Sequence, residues 1–325
     1  MVFPRLSYYR RVAAAYVLRR PSQLTFWHEV PELNERAEPG ELGEYWMTFR
    51  GKADYPGPYD AGGIPLLNYH GAIGLQYNPI AVAQYGLGNY NLFARTGDRE
   101  RLARALAAAD WLAARLEPNR HGVPVWHHHF DWEYRTLLRA PWYSGLAQGQ
   151  GISLLVRAFQ ATGQPKYVDA AAAALRALTL GVDEGGVAFR NGTGDVWFEE
   201  YLVDPPSHIL NGFVWASWGV YDYALLTGDA AVRGLFESAA GTMLGNLHRY
   251  DVGYWSLYEL SPTRVPMLAS PFYHRLHVVQ LHVMFRLTGR ETFRQFAERW
   301  SAYASNPWSR RRALVQKAIF KALYY

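Results

Sequence analysis

Three stretches gather side chains able to move protons. The first is Trp197-Phe198-Glu199-Glu200-Tyr201, followed by Pro205, Pro206 and Ile209-Leu210-Asn211-Gly212-Phe213. Neighbouring carboxylates point to opposite faces of a strand, or about 100° apart on a helix, so Glu199 and Glu200 cannot form a dyad. One is free to face a cleft while the other caps or pairs. A glutamate flanked by Trp, Phe and Tyr suits acid/base work, because apolar packing moves a carboxyl group toward neutral pKa. The plainer reading is a surface Glu pair before a turn, with Asn211 as the N-cap of the next helix. The second stretch is Tyr273-His274-Arg275-Leu276-His277, running on to Gln280. His274 and His277 share a helical face at i, i+3, as do Tyr273 and His277 at i, i+4. No HExxH pattern completes a metal pair, so hydrogen-bonding histidines are expected and no metal. The third is His127-His128-His129 with Asp131 and Glu133, whose alternating faces suit a polar strand edge better than a metal site.

A fourth group speaks of binding. Gln84-Tyr85-Gly86 and Gln148-Gly149-Gln150-Gly151 are joined by Trp142-Tyr143-Ser144, which reads as a sugar-facing wall. The glycine-rich run lacks the GK[ST] end of a phosphate loop, and no G-x-S-x-G elbow offers an acyl-transfer serine. Twelve Trp, 23 Tyr and 15 Phe in 325 residues agree with sugar stacking, since rings with a polar tip stack on pyranoses and bond their hydroxyls. A large aromatic core accounts for the same composition. The net charge of +5 suits an anionic polymer or surface. The aromatic content favours an anionic polysaccharide over nucleic acid. With no cysteine, disulfides, thiolate metal sites and a Cys nucleophile are excluded. No apolar run reaches a membrane span, and Val12 to Leu18 between arginine pairs is too short for a signal peptide, so a cytoplasmic location is expected.

The elements that must carry these groups announce themselves by a repeat. Thr96-Gly97, Thr162-Gly163, Thr227-Gly228 and Thr288-Gly289 recur at spacings near 65 residues, each between two segments of helical period. Glycine ends one helix in a left-handed cap, and the polar residues beside it start the next. Four αα-hairpins with long Tyr/Trp/Gly-rich connections predict a mainly α fold, an incomplete (α/α) toroid whose connections build a cleft at one end. The toroid is expected over residues 76–325. Residues 1–75 read as an N-terminal arm with short strands, including the partly alternating Glu41 to Phe49. Ser309 to Lys321 is a basic amphipathic helix, read as a solvated face, with membrane-surface docking as its alternative.

Taken in order, four blocks resemble the D-glucuronyl C5-epimerase family. They are Tyr77-Asn78-Pro79 with Gln84-Tyr85-Gly86-Leu87; Trp142-Tyr143-Ser144-Gly145-Leu146-Ala147-Gln148-Gly149-Gln150; Glu199-Glu200-Tyr201 with Leu210-Asn211-Gly212; and Tyr273-His274 with His277 and Gln280. The resemblance covers roughly residues 70–305. It implies an (α/α) toroid, no cofactor, a uronate polymer as substrate and a homodimer. It matches the catalytic glutamate to Glu200, the catalytic tyrosine to Tyr273, a further active-site tyrosine to Tyr258, and the substrate-binding pair to Tyr201 and Asn211. Gln84, Tyr85, Trp142, Gln148, His274 and His277 complete the expected sugar site. The animal enzymes carry an arginine where this chain has Ser261, so Arg264 or Arg275 is expected to hold the substrate carboxylate. The short N-terminal arm resembles a compact bacterial version.

The implied chemistry explains these residue types. Inverting C5 of a hexuronate removes a proton α to a carboxylate and returns one on the other face, through an enediolate whose charge must be stabilised. A carboxylate and a phenol can exchange the duties of base and acid. A polysaccharide lyase forms the same intermediate and then expels the C4 substituent. A glycoside hydrolase would pair Glu200 with Asp131, Glu133 or Glu259. A non-catalytic glycan-binding toroid would keep the aromatic cleft and tolerate loss of Glu200 and Tyr273.

Overall fold

The structure is a computed structural model that describes residues 26, 29–69 and 73–324. The reading of Val12 to Leu18 lies outside these residues. After a short helix α1 (Arg50–Ala53) and a two-residue hairpin of β1 (Leu67–Asn68) and β2 (Leu75–Gln76), helices come in pairs. They are α2 (Pro79–Thr96) with α3 (Arg99–Ala114), α4 (Gly145–Thr162) with α5 (Pro165–Thr179), α6 (Leu210–Thr227) with α7 (Ala230–Asn246), and α8 (Pro271–Thr288) with α9 (Glu291–Ser305). Helix α10 (Pro307–Tyr324) follows.

The four Thr-Gly turns repeat one design. Each glycine takes a positive φ of 66 to 72°, and its N–H donates to the carbonyl four residues back: Phe93, Phe159, Ala224 and Phe285. Each threonine hydroxyl donates to its own i−4 carbonyl at 2.7–2.9 Å and accepts the N–H two residues on. A side chain with Cβ would strain the left-handed cap, and the threonine satisfies backbone groups the helix end leaves orphaned. The first helix of every pair has 18 residues.

Between hairpins the chain makes small antiparallel ladders. β3 (Glu117–Pro118) pairs with β4 (Pro124–Val125), β5 (Trp132–Glu133) with β6 (Leu137–Leu138), and β7 (Ala188–Arg190) with β8 (Val196–Phe198). After α7, isolated bridges join Asp251 to Ser256 and Leu257 to Leu268.

The chain divides into two compact units. One comprises Asn34–His208 and Gly212–Thr242; the other comprises Ile209–Asn211 and Met243–Tyr325 with the chain before Asn34. In the first, Arg157 and Asp222 form a fully buried ion pair at 2.6 Å. The guanidinium also donates to the Gly43 and Ser153 carbonyls, and the Trp46 indole N–H reaches Asp222 at 3.1 Å, so both charges gain hydrogen bonds beyond the pair itself. Glu41 to Phe49 is not a strand. Residues 44–49 are buried consecutively, and the Asn91 side chain stands in for a strand partner, accepting from Tyr45 N at 2.6 Å and donating to Met47 O at 2.9 Å.

In the second unit α9 packs on α8 and α10. Helix α10 contains the expected Ser309 to Lys321 segment; it buries Ser309, Ala313, Lys317 and Phe320 and exposes Trp308, Val315, Ile319 and Leu323. Among the described residues, no helix is long and apolar enough to cross a membrane.

Candidate active site

In the first unit the two adjacent glutamates have different surroundings. Glu199 is tied into the scaffold. Its backbone N–H donates to Val187 O and its carbonyl accepts from Gly145 N, both at 2.9 Å, joining the β7–β8 ladder to the start of α4. Its carboxylate lies 2.5 Å from His208 Nδ1 and accepts from His208 N at 3.0 Å and from Ser207 at 3.3 Å. Glu200 points elsewhere. Its side chain lies against Gly212 in the first turn of α6, so closely that a Cβ on Gly212 would sit 2.3 Å from Glu200 Oε2 and 2.8 Å from its Cβ. Gly212 is therefore what admits this carboxylate to a helix N-terminus, where negative charge is favoured. Glu200 is 5% exposed.

Tyr201 continues the chain into an aromatic wall, with Tyr134 at 4.7 Å and the edge of Trp142 at 5.7 Å between ring centroids. Trp142 in turn stacks flat on buried His128, 3.8 Å apart and 4° from parallel. Burial holds that imidazole neutral, its pKa lowered to about 3. Gln148 and Gln84 turn inward. Gln148 accepts from Trp126 N and donates to Ala174 O, while Gln84 donates to Gln150 at 2.9 Å. Tyr85 is buried, 5.8 Å from the Tyr59 ring.

The second unit brings together Tyr258, Tyr273, Asn211, His274 and His277. Tyr258 is fixed through its backbone, donating to Met267 O at 2.8 Å and accepting from Leu210 N at 3.2 Å. Its ring meets Tyr273 edge-on at 4.9 Å. Ser270 caps α8 by accepting from Tyr273 N, which sets Tyr273 in the first turn. Asn211 is the second residue of α6 rather than its N-cap, and its carbonyl accepts from Gln280 Nε2 at 2.9 Å.

His274 and His277 do share a face, and Ser256 joins them. His274 Nε2 donates to Trp300 O at 2.8 Å, which leaves Nδ1 as an acceptor for the Ser256 hydroxyl at 2.8 Å. The Ser256 oxygen lies 3.0 Å from His277 Nδ1. The consistent proton order is His277 Nδ1–H to Ser256, and Ser256 O–H to His274. Nothing in the local spacing marks Ser256, 18 residues before His274. Arg264 and Arg275 are exposed, and neither is paired with a carboxylate among the described residues. Glu259, by contrast, is buried and pushed up to about 7 by desolvation, against the opposing effects of the Ser261 hydroxyl and Lys317. Among the described residues no three His, Asp or Glu side chains are grouped to hold a metal ion.

Burial lowers His274 to about 4, as it lowers His128 to about 3. Each ring takes a proton near pH 6.5 when unfolded and resists it when folded, so stability is full above about pH 6.5 and falls as pH drops toward the folded values. Urea unfolding at pH 5 should give a stability about 2 kcal/mol lower per histidine than at pH 7. Equal stability at the two pH values would contradict neutral burial of these rings.

Comparison with known proteins bears on both units. The family model described as D-glucuronyl C5-epimerase C-terminus matches residues 120–302. The D-glucuronyl C5-epimerase of Caenorhabditis elegans is 33% identical over 225 residues, covering 64% of this chain and 36% of that protein. Uncharacterized protein MJ1128 of Methanocaldococcus jannaschii is 27% identical over 198 residues, covering 60% of this chain and 63% of that protein. The matched region thus spans less than two thirds of either relative. Among solved structures, cellobiose 2-epimerase from Bacillus thermoamylovorans B4167 aligns with a TM-score of 0.52 at 14% identity, over 92% of this chain and 74% of that one. A sugar epimerase from a ruminal bacterium aligns at 0.50 and 14%, over 93% and 74%. At that identity the likeness is one of fold: mainly helical, of the (α/α) toroid class. The family match runs through the Glu199–Tyr201, Asn211–Gly212, Tyr258 and Tyr273–His277 stretches, and the chain belongs to the family of the D-glucuronyl C5-epimerase C-terminus.

Proposed function

We propose that the chain is a carbohydrate epimerase that converts D-glucuronate to L-iduronate residues within an anionic, heparosan-like polysaccharide. The observation that carries the reading is Glu200, a buried carboxylate admitted to the first turn of α6 by a glycine, within the stretch the family model matches. The reaction needs one group to take the C5 proton and another to supply a proton on the opposite face of the ring. The proposal gives the carboxylate's role to Glu200 and the phenol's to Tyr273, with Tyr258 assisting. Tyr201, Trp142 and Asn211 bind sugar, and Arg264 or Arg275 meets the substrate carboxylate, where an arginine's planar fork matches two oxygens. No electron leaves the substrate, so the reaction calls for no redox cofactor. The net charge of +5 favours encounter with a polyanion.

The test is incubation with N-sulfated heparosan, followed by NMR for iduronate and by absorbance of the unsaturated uronate that β-elimination leaves. Iduronate signals without an absorbance rise support epimerisation. An absorbance rise makes the chain a lyase that uses the same enediolate, and neither signal across a panel of uronans contradicts both. The support of Glu200 is tested separately by Gly212→Ala, whose Cβ requires the carboxylate to move. A displacement of that size is expected to cost activity about 100-fold, while circular dichroism stays that of the parent. Parent-level activity in this variant would show that the contact does not position Glu200.

A further inference from the structure

In the first unit, a cleft opens beside the entry to α2 and the end of α3, away from Glu200 in sequence. Its open space is about 420 Å³, solvent mouth included, and Tyr77, Trp111, Arg115, Glu117, His127 and His129 are among the side chains that line it. Tyr77 precedes the α2 N-cap Asn78, Trp111 lies in the last turn of α3, Arg115 caps that helix, and the histidines follow β4.

The cleft holds hydrogen-bond donors that the protein does not use. The Arg115 guanidinium lies 5.1 Å from the Trp111 ring and 5.3 Å from the Tyr77 ring. It forms no ion pair or side-chain hydrogen bond among the described residues. Two aromatic faces hold an arginine in place at low entropic cost and leave its planar fork of N–H groups open. The Trp111 indole N–H is buried with no acceptor. Tyr77 is held from behind, its hydroxyl donating to Asp60 at 2.7 Å. The His127 and His129 rings stand 5.9 Å apart, and burial lowers His127 below its ordinary pKa, assisted by His129 and opposed by Glu117. The carboxylate of Glu117 lies 4.0 Å from His127 Nδ1.

The cleft is also connected to the aromatic wall beside Glu200. His128, between the two lining histidines, stacks on Trp142 at 3.8 Å, and Trp142 meets Tyr201 at 5.7 Å. Trp126, which also lines the cleft, donates its backbone N–H to Gln148 in the first turn of α4, the helix whose first residue bonds Glu199.

We infer that this cleft is a second carbohydrate subsite, which holds an anionic sugar residue of the polymer other than the one being inverted, with Arg115 as the partner of its carboxylate or sulfate. The inference rests on the proposed reading for the identity of the polymer. Aromatic side chains with a fixed guanidinium suit a ring that carries an anion, and a charge-assisted contact of this kind strengthens binding by roughly 10- to 100-fold. Chain length should therefore control affinity, because only a long oligosaccharide can fill the cleft and the reacting site together.

The experiment is titration of the full chain, followed by tryptophan fluorescence and calorimetry, with a heparosan tetrasaccharide and a decasaccharide, each unsulfated and N-sulfated. The decasaccharide is expected to bind at least about tenfold tighter than the tetrasaccharide. Arg115→Ala should remove that advantage and Arg115→Lys should restore part of it, with melting temperatures unchanged. An advantage on unsulfated chains identifies the carboxylate as the ligand group, and one confined to N-sulfated chains identifies the sulfate. A length advantage that survives Arg115→Ala overturns the subsite while leaving the proposed reaction standing. Binding of neither oligosaccharide by the parent chain overturns the subsite together with the choice of polymer.

Discussion

Glu200→Gln is expected to lower the rate of C5 proton exchange about 1000-fold, with circular dichroism and melting temperature close to those of the parent. The amide keeps the size and shape of the carboxylate, so the close contact with Gly212 persists and only the ability to take and return a proton is lost. The adjacent Glu199 cannot substitute, because its oxygens are already bonded to His208 and Ser207. Glu199→Gln should instead weaken the fold by loosening the carboxylate's hold on His208 and Ser207. Exchange at the parent rate in a folded Glu200→Gln protein would remove Glu200 from the chemistry.

Tyr273→Phe removes one hydroxyl and retains the ring that packs edge-on against Tyr258 at 4.9 Å. Loss of the phenol as proton donor or acceptor is expected to reduce kcat by about 100- to 1000-fold, with a small change in KM. Equal loss in kcat and kcat/KM is the signature of an interaction made only in the transition state. A variant that raises KM and leaves kcat intact would make Tyr273 a binding residue and require another proton carrier.

The hairpins were legible because their information is local. Each Thr-Gly turn is specified within a few residues by a hydroxyl, a left-handed glycine and the N–H groups beside them. The face shared by His274 and His277 was legible for the same reason, since helical spacing alone puts them together. What joins them was not, because Ser256 reaches them from a separate connection. The division of labour between Glu199 and Glu200 also depends on residues beyond the pair: His208 and Ser207 bind one carboxylate, and Gly212 makes room for the other. Composition could not tell inward from outward glutamines, and Gln84 and Gln148 proved to be bonded within the interior. Glu41 to Phe49 resembled a strand through its apolar residues, yet its backbone bonds the Asn91 side chain and Asn34 rather than a neighbouring strand. At the cleft, Trp111 and Arg115 are neighbours by i, i+4 spacing, but Tyr77 joins them only when α2 and α3 pair, which the sequence does not mark.

The most direct test of the account is the reaction run in D₂O with an unsulfated or N-sulfated heparosan, read by NMR at C5 of both uronate epimers. The account predicts that solvent deuterium replaces the C5 proton in product iduronate and, with time, in residual glucuronate, as required when a side chain removes the proton and exchanges it with water. Formation of iduronate with the original C5 hydrogen retained would contradict proton abstraction by Glu200 and Tyr273 and point to a route that never breaks the C5–H bond to solvent.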